Sequence, residues 1–314
     1  MRIAVLGAGG VGGYFGGRLA EAGEEVHFIA RGAHLEALRT TGLQVESVAG
    51  DFVLQPAHAT ADPASVGAVD AVLVAVKTWQ LAEATRTMRP LVGRDTIVVP
   101  LLNGVDAPDL LRQALGPETV LGGLCRIISF VAAPGLVRHT GVAPSIAFGE
   151  MDGARSARVE RLRAVFTRAR GVAVEIPADI RVAMWRKFLF IASWGGLAAL
   201  ARAPIGVVRS LPETRRLLQE SLREIHAVAN AAGIALPAAA IEETLAFIDG
   251  LPADGTASMQ RDLMEGRRSE LDAHDGAVVR MAERFGIETP VHGFIYSSLL
   301  PVERRARKEI AFRL

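Results

Sequence analysis

The chain has 314 residues, and half of them are hydrophobic. This length is more than one hydrophobic core usually holds. Its 35 Lys and Arg residues balance 34 Asp and Glu residues, so the composition offers no basic surface for nucleic acid or for an anionic membrane. The single cysteine, Cys125, excludes an intramolecular disulfide and fits a reducing cytoplasm. We therefore expect a cytoplasmic, globular protein of two domains.

The first half of the chain alternates short β-branched runs with helical patterns. In chain order the pattern predicts strand, helix, strand, strand, helix and strand over residues 2–6, 11–22, 25–30, 71–76, 79–89 and 96–100. The continuous apolar run at 71–76 is typical of a central parallel strand that is buried on both faces. This alternation predicts the α/β class, with a Rossmann-type, doubly wound parallel sheet.

The rest of the chain changes character twice. Residues 120–150 show short strand signals separated by Pro and Gly, and we expect an antiparallel extension at the edge of the sheet. A helix at 154–170 and a strand at 172–176 then close a first domain, residues 1–177. Residues 178–314 predict an all-helical domain, whose apolar composition permits a homodimer, with helices at 180–200, 213–232, 238–248, 270–285 and 291–300.

A glycine-rich turn follows the first predicted strand and opens the first helix. It reads Gly7, Ala8, Gly9, Gly10, Val11 and Gly12. In a G-x-G-x-x-G motif the first glycine permits a tight turn, the second lets a pyrophosphate approach the backbone, and the third lets the helix pack on the strand. The helix N-terminus then favours the phosphates. The pattern predicts dinucleotide binding; a purely structural turn is the alternative.

Three further positions follow predicted parallel strands, where ligands bind in such sheets. The second strand ends without the carboxylate that an NAD site usually places there, and Arg31 offers a guanidinium suited to the 2′-phosphate of NADPH. Lys77 is a candidate contact for phosphate or adenosine, and Asn103 for the nicotinamide ribose or the substrate. The alternatives are a solvated arginine, a loop lysine and an Asn-Gly turn.

These residues, together with further blocks, resemble the ketopantoate reductase (2-dehydropantoate 2-reductase) family over nearly the whole chain. The blocks are 76–80 (VKTWQ), 102–104 (LNG), 185–187 (WRK), 258–262 (SMQRD) and 266–272 (GRRSELD). The resemblance implies NADPH as the cofactor and a small 2-oxo acid, 2-dehydropantoate, as the substrate that is reduced on the way to pantothenate. It also implies that Arg31, Lys77 and Asn103 are functional.

By the same resemblance Lys187 is the proton donor, which also contacts the substrate. The chemistry agrees, because a cation beside a ketone oxygen stabilises the charge that develops there and can supply a proton. Glu270 resembles a glutamate that contacts cofactor and reactants, and Ser258 resembles a contact to the substrate carboxylate. Without the resemblance, Glu270 reads as a first-turn carboxylate behind a Ser269 cap, and Ser258 as a helix cap.

The sequence departs from the family where the resemblance implies substrate-binding asparagines. Ile191 and Gly195 stand four and eight residues after Lys187, on the same side of the predicted helix. Ile205 and Gly255 replace two further asparagines. A lost hydrogen bond to a substrate hydroxyl costs on the order of 1–3 kcal/mol, so these positions favour a 2-oxo acid without a terminal hydroxyl.

Two other functions stay open at this point: a dehydrogenase of 3-hydroxy acids, and a non-catalytic NADPH-binding regulator. The seven histidines show no metal-ligand spacing, and we predict no metal. The longest uncharged apolar run, 188–201, is shorter than the roughly 20 residues that a bilayer requires. The basic run at 304–308 is typical of a solvated helix face.

Overall fold

The computed structural model describes residues 1–313, which divide into two compact units. The first unit comprises Met1–Leu102 and Ala107–Ile180. The second comprises Asn103–Asp106 and the chain from Arg181 onwards. The short segment Asn103–Asp106 therefore belongs with the second unit, although the rest of that unit follows residue 180.

The first unit is a mixed α/β structure. In chain order it contains β1 (Arg2–Leu6), α1 (Gly10–Glu21), β2 (Glu25–Ile29), α2 (Gly32–Thr40), β3 (Leu43–Ser47), β4 (Phe52–Leu54), β5 (His58–Thr60), β6 (Val69–Val74), α3 (Leu81–Thr87), β7 (Val92–Pro100), α4 (Ala107–Leu115), β8 (Gly122–Ala133), β9 (Leu136–Gly149), α5 (Ala157–Thr167) and β10 (Ala173–Glu175). Short 3₁₀ turns flank α3, at Thr78–Gln80 and Arg89–Leu91.

One sheet of this unit is parallel throughout, with strand order β5-β2-β1-β6-β7. The first strand lies at its centre, where Leu6 pairs with Ile29 on one side and with Val74 on the other. The residues of β6 from Ala71 to Val74 have no exposed surface, as the continuous apolar run predicts for a strand covered on both faces. The predicted Rossmann-type sheet is confirmed.

The prediction for residues 120–150 is correct in expecting antiparallel pairing and wrong in placing these strands at the edge of the parallel sheet. Strands β8 and β9 form a long antiparallel hairpin, but β9 joins a second sheet of order β10-β9-β3-β4. A single parallel bridge, from Val98 to Val120, connects the approach to β8 with β7 before the chain leaves the first sheet. The hairpin belongs to the second sheet because the edge of β9 that does not pair with β8 pairs with β3 and β10.

The glycines of α1 allow this helix to lie against both sheets. A Cβ added at Gly16 would approach Val5 of β1 to 2.7 Å, and one at Gly13 would approach Val137 of β9 to 2.8 Å. Such distances are shorter than a Cβ atom tolerates, so both positions on the helix require glycine. The glycine-rich segment thus has a packing role beyond its first turn.

In the described part of the second unit every regular element is helical, and the predicted all-helical C-terminal region is confirmed. The helices are α6 (Ile180–Ala201), α7 (Ile205–Ser210), α8 (Pro212–Ala231), α9 (Ala239–Asp249), α10 (Ser258–Met264), α11 (Asp275–Phe285) and α12 (Pro290–Ala306). The long helix α6 is apolar around its circumference, and Phe188 and Ala198 lie in the core with Leu222 of α8. A helix of this composition is stable only when it is surrounded by others.

The predicted helix at 270–285 is wrong over its first five residues. A 3₁₀ turn at Leu271–Ala273 precedes α11, and the backbone angles of His274 (φ −103°, ψ −95°) interrupt the helix. Ser269 fills the expected capping role only in part: its hydroxyl accepts from the N–H of Leu271 in the 3₁₀ turn at 3.2 Å, and its own N–H and hydroxyl donate to Glu303 of α12 at 2.9 and 2.6 Å. This tertiary contact overrides the local helical pattern.

Candidate active site

The glycine loop after β1 has the conformation that its sequence requires. Gly7 adopts a φ of +96°, and a Cβ there would lie 2.9 Å from the carbonyl oxygen of Ala75. A Cβ at Gly12 would overlap the carbonyl oxygen of Gly7 and approach a methyl group of Val5 to 2.8 Å. Both positions therefore need glycine, the first for the turn and the second for close contact between helix and strand.

The loop is open at Gly9, whereas the next residue, Gly10, lies against the backbone of Ser129. A Cβ at Gly9 would meet no atom within 4 Å, so the backbone here can be approached closely. Helix α1 begins at Gly10 with Gly9 as its N-cap, and no side chain caps it. The first N–H groups of a helix lack partners within it and favour an anion. The predicted loop of Gly7, Ala8, Gly9, Gly10, Val11 and Gly12 thus fits a dinucleotide pyrophosphate.

Two cationic residues stand after the two strands that flank β1 in the parallel sheet. Arg31 follows β2 by two residues, and its side chain is 64% exposed and forms an ion pair with Glu83 at 2.9 Å. Lys77 follows β6 by three residues, and its ammonium lies 5.6 Å from the ring centroid of Trp79. Because parallel strands end at one edge of a sheet, both residues belong to the edge that carries the glycine loop.

The second unit brings three of the predicted site residues into one hydrogen-bonded chain. The ammonium of Lys187 donates to Oδ1 of Asn103 at 2.9 Å, and Nδ2 of Asn103 donates to Oε2 of Glu270 at 3.0 Å. An ammonium only donates and a carboxylate only accepts, so these neighbours fix the orientation of the amide between them. Lys187 lies in α6, two turns after its start.

The segment that carries Asn103 is held firmly in this unit. Val105 is 8% exposed and belongs to the helical core. A Cβ at Gly104, whose φ is +90°, would lie 3.2 Å from the carbonyl oxygen of Ala273. Asp106 pairs with Arg280 of α11 at 3.6 Å. These contacts place Asn103 next to the stretch that carries Glu270, although the two residues are 167 positions apart.

Glu270 is only 4% exposed, and polar contacts on both sides fix its backbone. Before it, Ser269 binds the fully buried Glu303. After it, Asp272 accepts from the hydroxyl of Tyr296 at 2.8 Å and from the guanidinium of Arg307 at 2.5 Å. The same guanidinium donates to Glu303 at 2.7 Å. The Arg307 side chain is only 14% exposed, so the solvated face expected at 304–308 is wrong for this residue.

A buried trio supports the next turn. Asp275 accepts from the ring of His292 at 2.9 Å, the ring contacts the hydroxyl of Ser221 at 2.9 Å, and that hydroxyl bonds the carbonyl oxygen of Ser193. The order Ser-His-Asp is that of a hydrolase triad. All three residues have no exposed surface, so no substrate reaches the hydroxyl, and the trio links α8, α11 and α12 as a structural element.

Asp272 gives a prediction for the pH dependence of stability. Burial alone would raise the pKa of its carboxyl, but the hydrogen bonds from Tyr296 and Arg307 outweigh burial, and the pKa lies below its usual 3.8. A lowered pKa stabilises the fold above the unfolded value, and this contribution is lost as the pH falls through the folded value. We expect Asp272→Asn to be less stable than the parent chain near neutral pH, with the difference shrinking below about pH 4.

Urea unfolding from about pH 7 to about pH 3 measures this difference. The exposed Asp254→Asn variant is the matched control, because it removes the same charge from a residue at the surface. A stability difference for Asp272→Asn that stayed constant over the whole range would contradict the prediction.

The side of α6 that continues from Lys187 is apolar, as its sequence indicates. Ile191 packs against the helical core, and a Cβ at Gly195 would lie 3.4 Å from both Ala257 and Met259. The two other positions at which the resemblance implies asparagines also meet: the N–H of Ile205 donates to the carbonyl oxygen of Gly255 at 3.0 Å. Ile205 is fully buried.

Ser258 stands between Ala257 and Met259, the two residues that face Gly195 of α6. It is the exposed first residue of α10, and it takes no part in the hydrogen-bonded chain of Lys187, Asn103 and Glu270. Over residues 1–313 no cluster of three His, Cys, Asp or Glu side chains is arranged to hold a metal ion. Nor does this part of the chain contain a helix with the length and apolarity to span a membrane.

Comparisons with known proteins agree with the sequence resemblance. The family model described as ketopantoate reductase PanE/ApbA matches residues 3–153, and the model of the C-terminal part of that family matches residues 179–303. The chain is 32% identical to the uncharacterized oxidoreductase YkpB of Bacillus subtilis, over 95% of this chain and 98% of that protein. It is 29% identical to the 2-dehydropantoate 2-reductase of Nostoc sp., over 98% and 96%.

A solved structure shows the same relationship. The PanE/ApbA family ketopantoate reductase from Ralstonia eutropha JMP134 has 31% sequence identity and a TM-score of 0.89, covering 98% of this chain and all of that chain. The predicted class, an oxidoreductase with a nicotinamide cofactor, is confirmed by these matches. The chain belongs to the ketopantoate reductase family.

Proposed function

We propose that this protein reduces 2-dehydropantoate to pantoate with NADPH, with Lys187 as the proton donor. The observation that carries the proposal is the hydrogen-bonded chain from Lys187 through Asn103 to Glu270. The proposal assigns cofactor binding to residues 1–177 and substrate binding and proton transfer to residues 178–314. It places the reaction in the cytoplasm, as a step of pantothenate formation.

The three linked side chains suit the reduction of a ketone. A bound nicotinamide would supply a hydride to the carbonyl carbon of the substrate, and negative charge would then develop on the carbonyl oxygen. An ammonium carries three N–H donors, so Lys187 can bind Asn103 and also donate to that oxygen. Asn103 limits the positions that the ammonium can take, and Glu270 holds the amide in place. Proton transfer from Lys187 completes the alcohol.

The cofactor proposal assigns the glycine loop to the pyrophosphate, and Arg31 and Lys77 to the adenosine phosphate. Glu270 and Asn103 would contact the nicotinamide half, and Ser258 the substrate carboxylate. The positive φ of Gly7 and the open backbone at Gly9 support the first assignment. The exposed guanidinium of Arg31 at the end of β2 supports the second.

We expect Arg31→Ala to weaken NADPH binding much more than NADH binding. A charge-assisted hydrogen bond to a phosphate contributes about 1.5–3 kcal/mol, or roughly tenfold to a hundredfold in affinity. Titration of the substrate-free protein with each dinucleotide, followed by cofactor fluorescence, measures both dissociation constants. Equal losses for the two dinucleotides would contradict the assignment of Arg31 to the 2′-phosphate.

A second candidate substrate is a 2-oxo acid that lacks the terminal hydroxyl, such as 2-oxoisovalerate. The observation in its favour is the apolar side of α6, where Ile191 stands one turn from Lys187 and Gly195, which faces Ala257 and Met259, stands two turns from it. An apolar wall leaves the hydroxyl of 2-dehydropantoate without a partner. A related 3-hydroxy acid dehydrogenase would use the same scaffold.

Steady-state consumption of NADPH with a panel of 2-oxo acids and 3-oxo acids tests the proposal. We expect turnover with 2-oxo acids, and the ratio of kcat/KM for 2-dehydropantoate and 2-oxoisovalerate decides between the two candidate substrates. Turnover with 3-oxo acids alone would favour the dehydrogenase alternative. Tight NADPH binding without turnover of any acid would favour a regulator.

A further inference from the structure

The fold supplies at the end of β2 a carboxylate that the local sequence lacks. Residues 28–32 contain no Asp or Glu, yet Glu83, which is 52 positions after Arg31, places its Oε1 atom 2.9 Å from the guanidinium. Glu83 lies in the first turn of α3, the helix that follows Lys77. The two side chains are 64% and 50% exposed, so a ligand can reach both.

We propose that Glu83 is a specificity-determining residue that competes with the 2′-phosphate of NADPH for Arg31. It thereby reduces the preference of the protein for NADPH over NADH. This inference rests on the proposed role of Arg31. Glu83 is expected to act on cofactor choice alone, because it pairs with Arg31 and not with the Lys187, Asn103 and Glu270 chain.

The physical argument concerns both dinucleotides. A 2′-phosphate that binds the Arg31 guanidinium must displace the Glu83 carboxylate from it, and the free energy of that ion pair is then lost. Exposed ion pairs of this kind change an equilibrium by up to about fivefold. With NADH the 2′-hydroxyl is a donor, and a carboxylate near the end of the second strand is the usual acceptor for it.

The expected result for Glu83→Gln follows from this competition. Glutamine keeps the length of the side chain and a carbonyl acceptor but removes the charge. We expect the dissociation constant of NADPH to fall about two- to fivefold and that of NADH to change little. The gain should shrink at high salt, because exposed charges are screened within a few ångströms there.

The experiment measures dissociation constants of the substrate-free protein for NADPH and NADH by cofactor fluorescence. The variants are Glu83→Gln, Arg31→Ala and the double variant, with Glu160→Gln as the matched control. Glu160 forms a similar exposed ion pair with Arg163 at 2.7 Å on α5. We expect tighter NADPH binding in Glu83→Gln alone, and no further effect of this substitution when Arg31 is absent.

Two results would overturn the inference: an NADPH to NADH ratio in Glu83→Gln that matches the Glu160→Gln control, or a gain in NADPH affinity that persists without Arg31. Its failure is separable from that of the proposed function. If Arg31→Ala weakens NADPH binding selectively and Glu83→Gln leaves both dissociation constants unchanged, only the role of Glu83 is contradicted.

Discussion

Replacing Lys187 with alanine is expected to lower kcat for a 2-oxo acid by about 10²- to 10⁴-fold, the usual contribution of a positioned general acid. The variant loses both the proton donor and the cation that stabilises charge on the carbonyl oxygen. Binding of NADPH should be unchanged, because the glycine loop belongs to the first unit. Initial rates of NADPH oxidation and a dinucleotide titration measure the two properties separately.

Two further variants sharpen this prediction. Lys187→Arg keeps the positive charge, but a guanidinium does not give up its proton near neutral pH, so kcat should stay low. Arg186→Ala is the matched control, because Arg186 is the neighbouring cation on α6 and pairs with the exposed Glu243. A Lys187→Ala variant with nearly full activity, or a loss of equal size in Arg186→Ala, would show that Lys187 is not the proton donor.

Replacing Asn103 with leucine is expected to lower kcat by about tenfold to a hundredfold, which corresponds to roughly 1–3 kcal/mol for buried polar groups that lose a partner. Leucine has a similar size but can neither accept from Lys187 nor donate to Glu270. The ammonium then occupies more positions, and fewer of them permit proton transfer. The measurement is the pair of kcat and KM values for the preferred 2-oxo acid.

Asn103→Asp separates the two bonds of the amide. A carboxylate still accepts from Lys187 but cannot donate to Glu270, and its added charge should move the pH profile of kcat. Asn230→Leu on α8 is the control for the asparagine-to-leucine change, since Asn230 is exposed and bonds only near its own helix turn, to His226. A change in KM alone for Asn103→Leu would contradict a role in positioning the proton donor.

The parallel sheet and the glycine loop were predictable because their signals are local. The run at 71–76 is apolar throughout, and a strand buried on both faces needs no other pattern. Gly7 and Gly12 occupy positions where the backbone leaves no room for a Cβ, so their spacing carries the motif directly. The longer helices of the second unit followed from the same kind of local pattern, whereas the short helices α7 and α10 were not predicted.

The second sheet was not predictable, because its pairing partners are distant in sequence. Strand β3 pairs with β9, in a register that joins Gln44 to Leu136. Short strands such as β4 and β5 offer only three residues each, too few for a periodic signal. The prediction of a sheet-edge extension assumed that neighbours in sequence are neighbours in space, which holds for many strands but not for this hairpin.

The sequence indicated the residues of the candidate site but not the contacts that support them. The resemblance indicated Lys187, Asn103 and Glu270, but nothing local shows that Asn103 would link the other two. Glu303 and Arg307, which fix the backbone beside Glu270, appear in the sequence as ordinary charges of a terminal helix. The tertiary contact of Ser269 with Glu303 also explains why the helical pattern from residue 270 failed.

Transfer of deuterium from NADPH labelled at the reactive position of its nicotinamide tests the central claim most directly. The protein is incubated with labelled NADPH and 2-dehydropantoate, and the product is analysed by mass spectrometry. We predict pantoate that carries deuterium on the former carbonyl carbon, formed in equal amount with oxidised cofactor, and almost none with the Lys187→Ala variant. A protein that binds NADPH but yields no labelled hydroxy acid from any 2-oxo acid would contradict the account.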